Sequence, residues 1–163
     1  MRILSDGALL LPDEAATARV GAALGRALAP GDALLLEGPL GAGKSALARA
    51  AVQARLADEG RIEEVPSPTY TLVQVYPSAA GEIWHADLYR LTDPDDVAEL
   101  GLLDAFAEAI CLIEWPDRLG PYAPARALSA RLGFPEGGGG RTLALTPRGA
   151  GWDAAVAAAR GAA

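Results

Sequence analysis

Residues 38–45 read Gly-Pro-Leu-Gly-Ala-Gly-Lys-Ser, and they hold the only lysine among fourteen basic residues. The other thirteen are arginines, so Lys44 stands where the general preference of the chain for arginine is resisted. Arginine is a planar fork suited to bidentate pairing, whereas lysine is a compact point charge on a flexible stem. A small cation between glycine backbones suits a phosphate-binding loop. The octapeptide satisfies G-x-x-x-x-G-K-[ST], in which inward-turned amides cradle phosphates, the lysine reaches the β and γ groups, and the hydroxyl ligates Mg²⁺. Here those amides come from Gly38, Leu40, Gly41, Ala42, Gly43 and Lys44, and the hydroxyl is that of Ser45. A helix after the loop adds its positive end to the cradle.

A Mg²⁺–nucleotide site needs a second anchor, usually a carboxylate at the end of a hydrophobic strand. Glu114, closing "AICLIE", fits that role best. Asp87, closing the alternating "EIWHAD", is a second candidate, either positioning water or completing the outer shell of the metal. His85, the only histidine, reads as a packing residue of the same strand rather than a base. Arg90 is either a surface charge or a γ-phosphate contact. Trp115 either plugs a strand end or touches the nucleotide.

These residues need elements to hold them. Residues 13–29 place Ala16, Val20, Leu24 and Leu28 at helical spacing, and Pro30-Gly31 ends that helix. "ALLLEG" follows as a short buried strand into the glycine loop, and "SALARAAVQARLA" leaves it as an alanine-rich helix. "EVPSPTYT" is a loop interrupted by two prolines. "TLVQVYP" and "EIWHADLY" are neighbouring strands joined around Ser78–Gly81. "TDPDDVAEL" has the marks of a helix start, with a Thr or Asp cap, Pro94 in the first turn and acids at the positive end. Gly101 interrupts it and "LLDAFAEA" continues as a second helical piece. "ICLIEW" is a buried strand, "ALSARLGF" and "RTLALTP" form a hairpin across "PEGGGG", and Trp152–Arg160 is a last helix. Strands alternating with helices around a phosphate loop predict one α/β domain over 1–163. Its expected form is P-loop NTPase-like, a three-layer αβα with a mostly parallel central sheet and a C-terminal antiparallel hairpin.

The 163 residues carry a formal charge of −7, which argues against a chain that grips nucleic-acid backbone by itself. The single cysteine, Cys111, excludes an intramolecular disulfide and a cysteine-based metal cage, and reads as a small core residue. The apolar run near the N-terminus is too short for a signal peptide, and no window reaches the length of a membrane span. A reduced, cytoplasmic protein is expected.

Taken together, "LPDEAAT", "GPLGAGKS", "SPTYTLV", "HADLYRL" and "IEWPDRL" resemble, in order and spacing, the bacterial TsaE (YjeE) family. The match runs from about residue 11 to 119. The resemblance implies an ATPase of tRNA threonylcarbamoyladenosine biosynthesis, acting at adenosine-37 of tRNAs that read codons beginning with adenine. It implies ATP and Mg²⁺ as cofactors and TsaD and TsaB as partners, with TsaD performing the carbamoyl transfer and tRNA met only through the complex. By position, Lys44 would bind the phosphates, Ser45 and Glu114 would hold Mg²⁺, and Asp87 would be catalytic or metal-linked. Ser67, Pro68, Thr69 and Tyr70 would form a mobile segment over the γ-phosphate, with Thr69 among the catalytic residues. Trp115 would lie beside the nucleotide, Glu14 would approach the base or sugar, and Gly140 or Arg141 would do so from the other side. Ser45 replaces the threonine of many members and supplies the same hydroxyl.

Two rivals share the loop. A small-molecule kinase would need an acceptor pocket and an arginine-bearing lid, for which Arg118 and "GPYAPAR" are weak material. A nucleotide-dependent binding switch would need only the "SPTY" segment to order around the γ-phosphate.

Overall fold

The run Ala33–Leu36 shows no alternation of apolar and polar residues, so a strand built from it must be covered on both faces. The computed structural model, which describes residues 1–163, places it at the centre of a seven-stranded sheet. The chain runs β1 (Leu9–Leu11), α1 (Glu14–Ala27), β2 (Ala33–Glu37), α2 (Lys44–Asp58), β3 (Val73–Ser78) and β4 (Gly81–Asp87). It continues α3 (Asp96–Glu99), α4 (Leu102–Glu108), β5 (Ile110–Glu114), a 3-10 helix (Pro116–Tyr122), β6 (Ala127–Gly133), β7 (Arg141–Arg148) and α5 (Asp153–Ala162). The sheet order is β1-β7-β6-β2-β5-β4-β3.

The centre of the sheet is parallel, with β2 flanked by β5 and β6 and with β4 beyond β5. Both margins are antiparallel: β3 on β4 at one side, β7 on β6 and β1 on β7 at the other. The expected hairpin of "ALSARLGF" and "RTLALTP" is β6–β7, and β6 also joins the parallel centre. Alternate residues sort the core into two layers. Leu34, Leu36, Ile83, Ile110 and Leu112 pack with α1, α2 and α5. Ala33, Leu35, Ala86, Cys111 and Ile113 pack with α3, α4 and the 3-10 helix. Burial pushes the Cys111 thiol up to about 12, in keeping with its reading as an inert core residue.

One expectation needs correction, and two elements carried no expectation. The start of "TDPDDVAEL" yields only the four-residue α3, whose cap Asp95 is helical and makes no side-chain capping bond. Asp93 spends its carboxylate on the Asp95 amide instead, 2.9 Å away, forming a turn rather than a longer helix. "ALLL" at the N-terminus supplies β1, a strand with only three residues, whose partner β7 lies far along the chain. The stretch after Glu114 is a 3-10 helix, begun by Pro116.

Helices α1 and α2 lie against each other along Gly21 and Gly25. A Cβ on Gly25 would sit 2.4 Å from the carbonyl oxygen of Ala51 and 2.6 Å from its Cα. Backbone cannot rotate away, so Gly25→Ala must push the helices apart. We expect it to destabilise the fold by about 1–3 kcal/mol, despite the better helix propensity of alanine. Gly161→Ala in α5, where the space around the new methyl is open, serves as the control and should be neutral or slightly stabilising. Urea denaturation of both variants separates packing from propensity.

Candidate functional site

The loop leaves β2 at its carboxyl end and turns into α2 through Gly43, the N-cap, at φ 106°. That left-handed backbone is natural to glycine and strained for other residues. Open α/β sheets bind ligands outside the carboxyl ends of their strands, and three such ends meet here. Parity decides what they present. Ile83, His85 and Asp87 share one face of β4, and Leu112 and Glu114 share the same face of β5. Because Ile83 and Leu112 face α1 and α2, the histidine and both carboxylates face that layer too. In register, Asp87 stands beside Glu114.

Ser45, in the first turn of α2, donates from Oγ to Glu114 Oε1 at 2.7 Å. The other carboxylate oxygen, Oε2, is 2.7 Å from His85 Nε2. His85 and Glu114 are both buried. Asp87 Oδ1 accepts the Tyr89 amide at 3.0 Å, closing the strand end as an Asx turn. Its Oδ2 accepts from Thr69 Oγ1 at 3.3 Å, and Thr69 in turn shares a 2.8 Å contact with Ser67 Oγ. The prolyl loop is thereby tied to the end of β4.

Lys44 is folded inward. Its Nζ donates to the carbonyls of Gly38 and Pro39 at 2.7 and 2.9 Å and lies 4.2 Å over the Trp115 ring. Burial pulls its pKa below 10.5, opposed by the negative charges of Glu114 and Asp87. Trp115 holds φ 57° and ψ 55°, an uncommon backbone for a bulky residue. It stacks obliquely on Tyr89 at 4.9 Å. The ammonium, loop and indole thus form one unit.

A cleft of about 970 Å³ opens above them. Most of the site residues expected from sequence line it: Glu14, Leu40, Gly41, Gly43, Lys44, Ser45, Thr69, Asp87, Glu114, Trp115, Gly140 and Arg141. Gly38 and Ala42 do not; Ala42 is fully buried behind the loop, and Gly38 touches the site through its carbonyl to Lys44. Pairing of Leu11 with Arg141 brings the two ends of the chain together at the rim. A Cβ on Gly140 would fall 2.3 Å from the Leu11 carbonyl, so only glycine permits that approach. Asp13 caps α1 through the Ala16 amide at 2.8 Å, which sets Glu14 at the cleft. Arg141 donates to the Gly41 carbonyl at 3.1 and 3.2 Å and covers Phe134. Arg90 is placed otherwise, its guanidinium 5.4 Å from the ring of exposed Tyr70. Arg118, the lid candidate of a kinase, is absent from the cleft lining.

Sequence reasoning missed Thr17, Arg49 and Gln53, which face the cleft from α1 and α2. It also read His85 as packing, whereas its imidazole bonds a site carboxylate. The signal was the shared parity of His85 and Asp87.

The donor chemistry is that of hard oxygens, with a hydroxyl and a carboxylate already paired and a second carboxylate on the next strand. No group of three His, Cys, Asp or Glu is arranged to hold a metal ion by itself. That suits Mg²⁺, which is commonly held by one or two carboxylates together with water and substrate phosphates. No helix is long and apolar enough to cross a membrane.

The family model described as "Threonylcarbamoyl adenosine biosynthesis protein TsaE" matches residues 11–138. Curated proteins named "tRNA threonylcarbamoyladenosine biosynthesis protein TsaE" are similar. That of Nostoc sp. is 35% identical over 145 residues, covering 85% of each chain. That of Mycobacterium leprae is 38% identical over 138 residues, covering 79% of this chain and 83% of its own. The Haemophilus influenzae protein is 45% identical over 84 residues, about half of either chain (51%). Among solved structures, Bacillus subtilis YdiB has the same fold, with a TM-score of 0.68 at 22% identity over 87% of this chain and 85% of its own. The chain belongs to the TsaE family of tRNA threonylcarbamoyladenosine biosynthesis proteins.

Proposed function

We propose that the chain is a P-loop NTPase that binds ATP with Mg²⁺ in this cleft and hydrolyses it to ADP and phosphate. It does so in the cytoplasm, serving threonylcarbamoyladenosine formation on tRNA together with TsaD and TsaB homologues. One observation carries the reading: a buried ammonium on a glycine loop and a bonded hydroxyl–carboxylate pair share one cleft. Its volume lies within the range of about 300–1,000 Å³ typical of ligand pockets.

In this reading Ser45, Glu114 and, through the outer shell, Asp87 would hold Mg²⁺, and Lys44 would exchange loop carbonyls for phosphate oxygens. Bound Mg²⁺ would neutralise charge developing on the phosphates. Asp87, reached from outside by Thr69, orients the attacking water. The rim residues Glu14, Gly140 and Arg141 meet the base or sugar. Catalysis of this kind rests on positioning and charge stabilisation. The arginines of the cleft lining are engaged elsewhere, Arg49 on the Val65 carbonyl and Arg141 on that of Gly41, while Arg90 lies on Tyr70. Hydrolysis alone is therefore slow and completed by a partner. The net charge of −7 fits a protein that meets tRNA only through that complex.

The test measures phosphate release by the purified chain, alone and with TsaB and TsaD. An arginine finger supplied in trans is worth about 10³–10⁵ in rate, so stimulation of tenfold or more is expected. Fast turnover alone, or neither binding nor stimulation, would overturn the partnership. Phosphorylation of a metabolite would point to the kinase.

A further inference from the structure

We propose that His85 is the positioning residue that divides the work of the Glu114 carboxylate, anchoring Oε2 to the sheet so that Oε1 faces Ser45 and the loop. The inference rests on reading the cleft as a Mg²⁺–nucleotide site. It starts from strand geometry. His85 precedes Asp87 by two residues on the same face of β4, and Asp87 stands beside Glu114 in register. The imidazole therefore lies one step deeper in the sheet, where it meets the carboxylate from below.

The proton can be placed from the contacts. An ionised carboxylate only accepts, so the 2.7 Å bond requires the hydrogen on Nε2. Nδ1 is buried and has no partner. The arrangement places a hydrogen on Nε2, between the ring and the carboxylate.

Glu114 accepts two hydrogen bonds from side chains, one on each oxygen: His85 on Oε2 and Ser45 on Oε1. Without the imidazole, the carboxylate is free to turn about its last bond and to swing toward the Lys44 ammonium, whose charge already couples to it. With the imidazole, Lys44 keeps its bonds to the loop carbonyls and Oε1 stays beside Ser45. Outer-shell partners of ligating carboxylates commonly act in this way, and their loss typically costs about 10- to 100-fold in metal affinity or activity.

Two measurements test it. His85 is the only histidine, so ¹⁵N-histidine labelling of tag-free protein gives a single imidazole. The spectrum should show a hydrogen held on Nε2, with that resonance shifting in Glu114→Gln. The opposite tautomer, or a freely averaging ring, overturns the proposal. The second measurement is calorimetric titration of a non-hydrolysable ATP analogue against Mg²⁺, with a parallel series in EDTA. His85→Leu should raise the Mg²⁺ concentration for half-maximal binding about 10- to 100-fold, leaving affinity in EDTA within about threefold of the parent. His85→Gln, which can still donate, should recover most of the metal response. Unchanged metal dependence in His85→Leu, or an equal loss in EDTA, overturns the positioning role. Should the unaltered protein bind nucleotide without regard to Mg²⁺, the reading of the cleft fails, and the ¹⁵N spectrum alone decides whether His85 anchors Glu114.

Discussion

Lys44→Ala should weaken ATP binding more than any other single substitution. Truncating one partner of a buried, hydrogen-bonded charge pair costs about 2–5 kcal/mol, or roughly 30- to several-thousand-fold in affinity. The ammonium lies between the loop carbonyls and the Trp115 ring, so the deletion leaves a cleft that amides alone must make attractive to a triphosphate. Lys44→Arg should fail nearly as badly: its charge survives, but a planar fork does not fit where a single nitrogen bonds two loop carbonyls. Titration calorimetry reads both, and undiminished uptake of ATP by Lys44→Ala would end the nucleotide reading. A pH dependence accompanies the binding. Burial lowers the free ammonium's pKa, and phosphate beside it raises that value again. Binding then takes up a proton above the lowered pKa, so affinity falls as pH rises through the alkaline range.

Glu114→Gln should separate binding from hydrolysis. The amide is the same size, its oxygen accepts from His85 Nε2, and its NH₂ can donate to Ser45 Oγ, so the fold is kept. What goes is the negative charge at the metal. Lewis-acid stabilisation of a phosphoryl transition state is worth several kcal/mol. Partner-stimulated hydrolysis should therefore drop by at least about a hundredfold, since about 1.4 kcal/mol corresponds to each factor of ten. Affinity for nucleotide in EDTA should hold or improve, because the carboxylate no longer repels phosphate. Thermal denaturation should show little change or a slight gain, as a buried charge with its desolvation cost has been removed. Hydrolysis that persists at the parental rate would exclude Glu114 as a metal ligand.

Much of the site was legible because its signals are local. The loop carries its chemistry in eight consecutive residues, and the strand before and helix after it follow from apolar pattern and alanine content. Glu114 and Asp87 could be chosen because each closes a hydrophobic strand. The expected three layers follow from the unalternating β2 and β5, which need cover on both faces. The terminal hairpin was readable from its glycine turn. Less was visible where competition was fine-grained, as at Asp93, whose carboxylate satisfies a turn in place of a helix cap.

Residue types and spacing alone determined that a cation on a glycine loop, a hydroxyl and two strand-end carboxylates are present in a pattern suited to phosphate chemistry, since each is specified within a dozen residues of chain. Tertiary structure alone decided how they meet. The bond of His85 to Glu114 spans 29 residues and depends on the register of β4 against β5. The approach of Gly140 and Arg141 to Glu14 depends on β1 pairing with β7, more than a hundred residues away. Which faces of α1 and α2 line the cleft depends on how closely Gly21 and Gly25 let those helices approach. Hydrogen-bond register and close packing are set between distant segments, and no local pattern encodes a distance across the sheet.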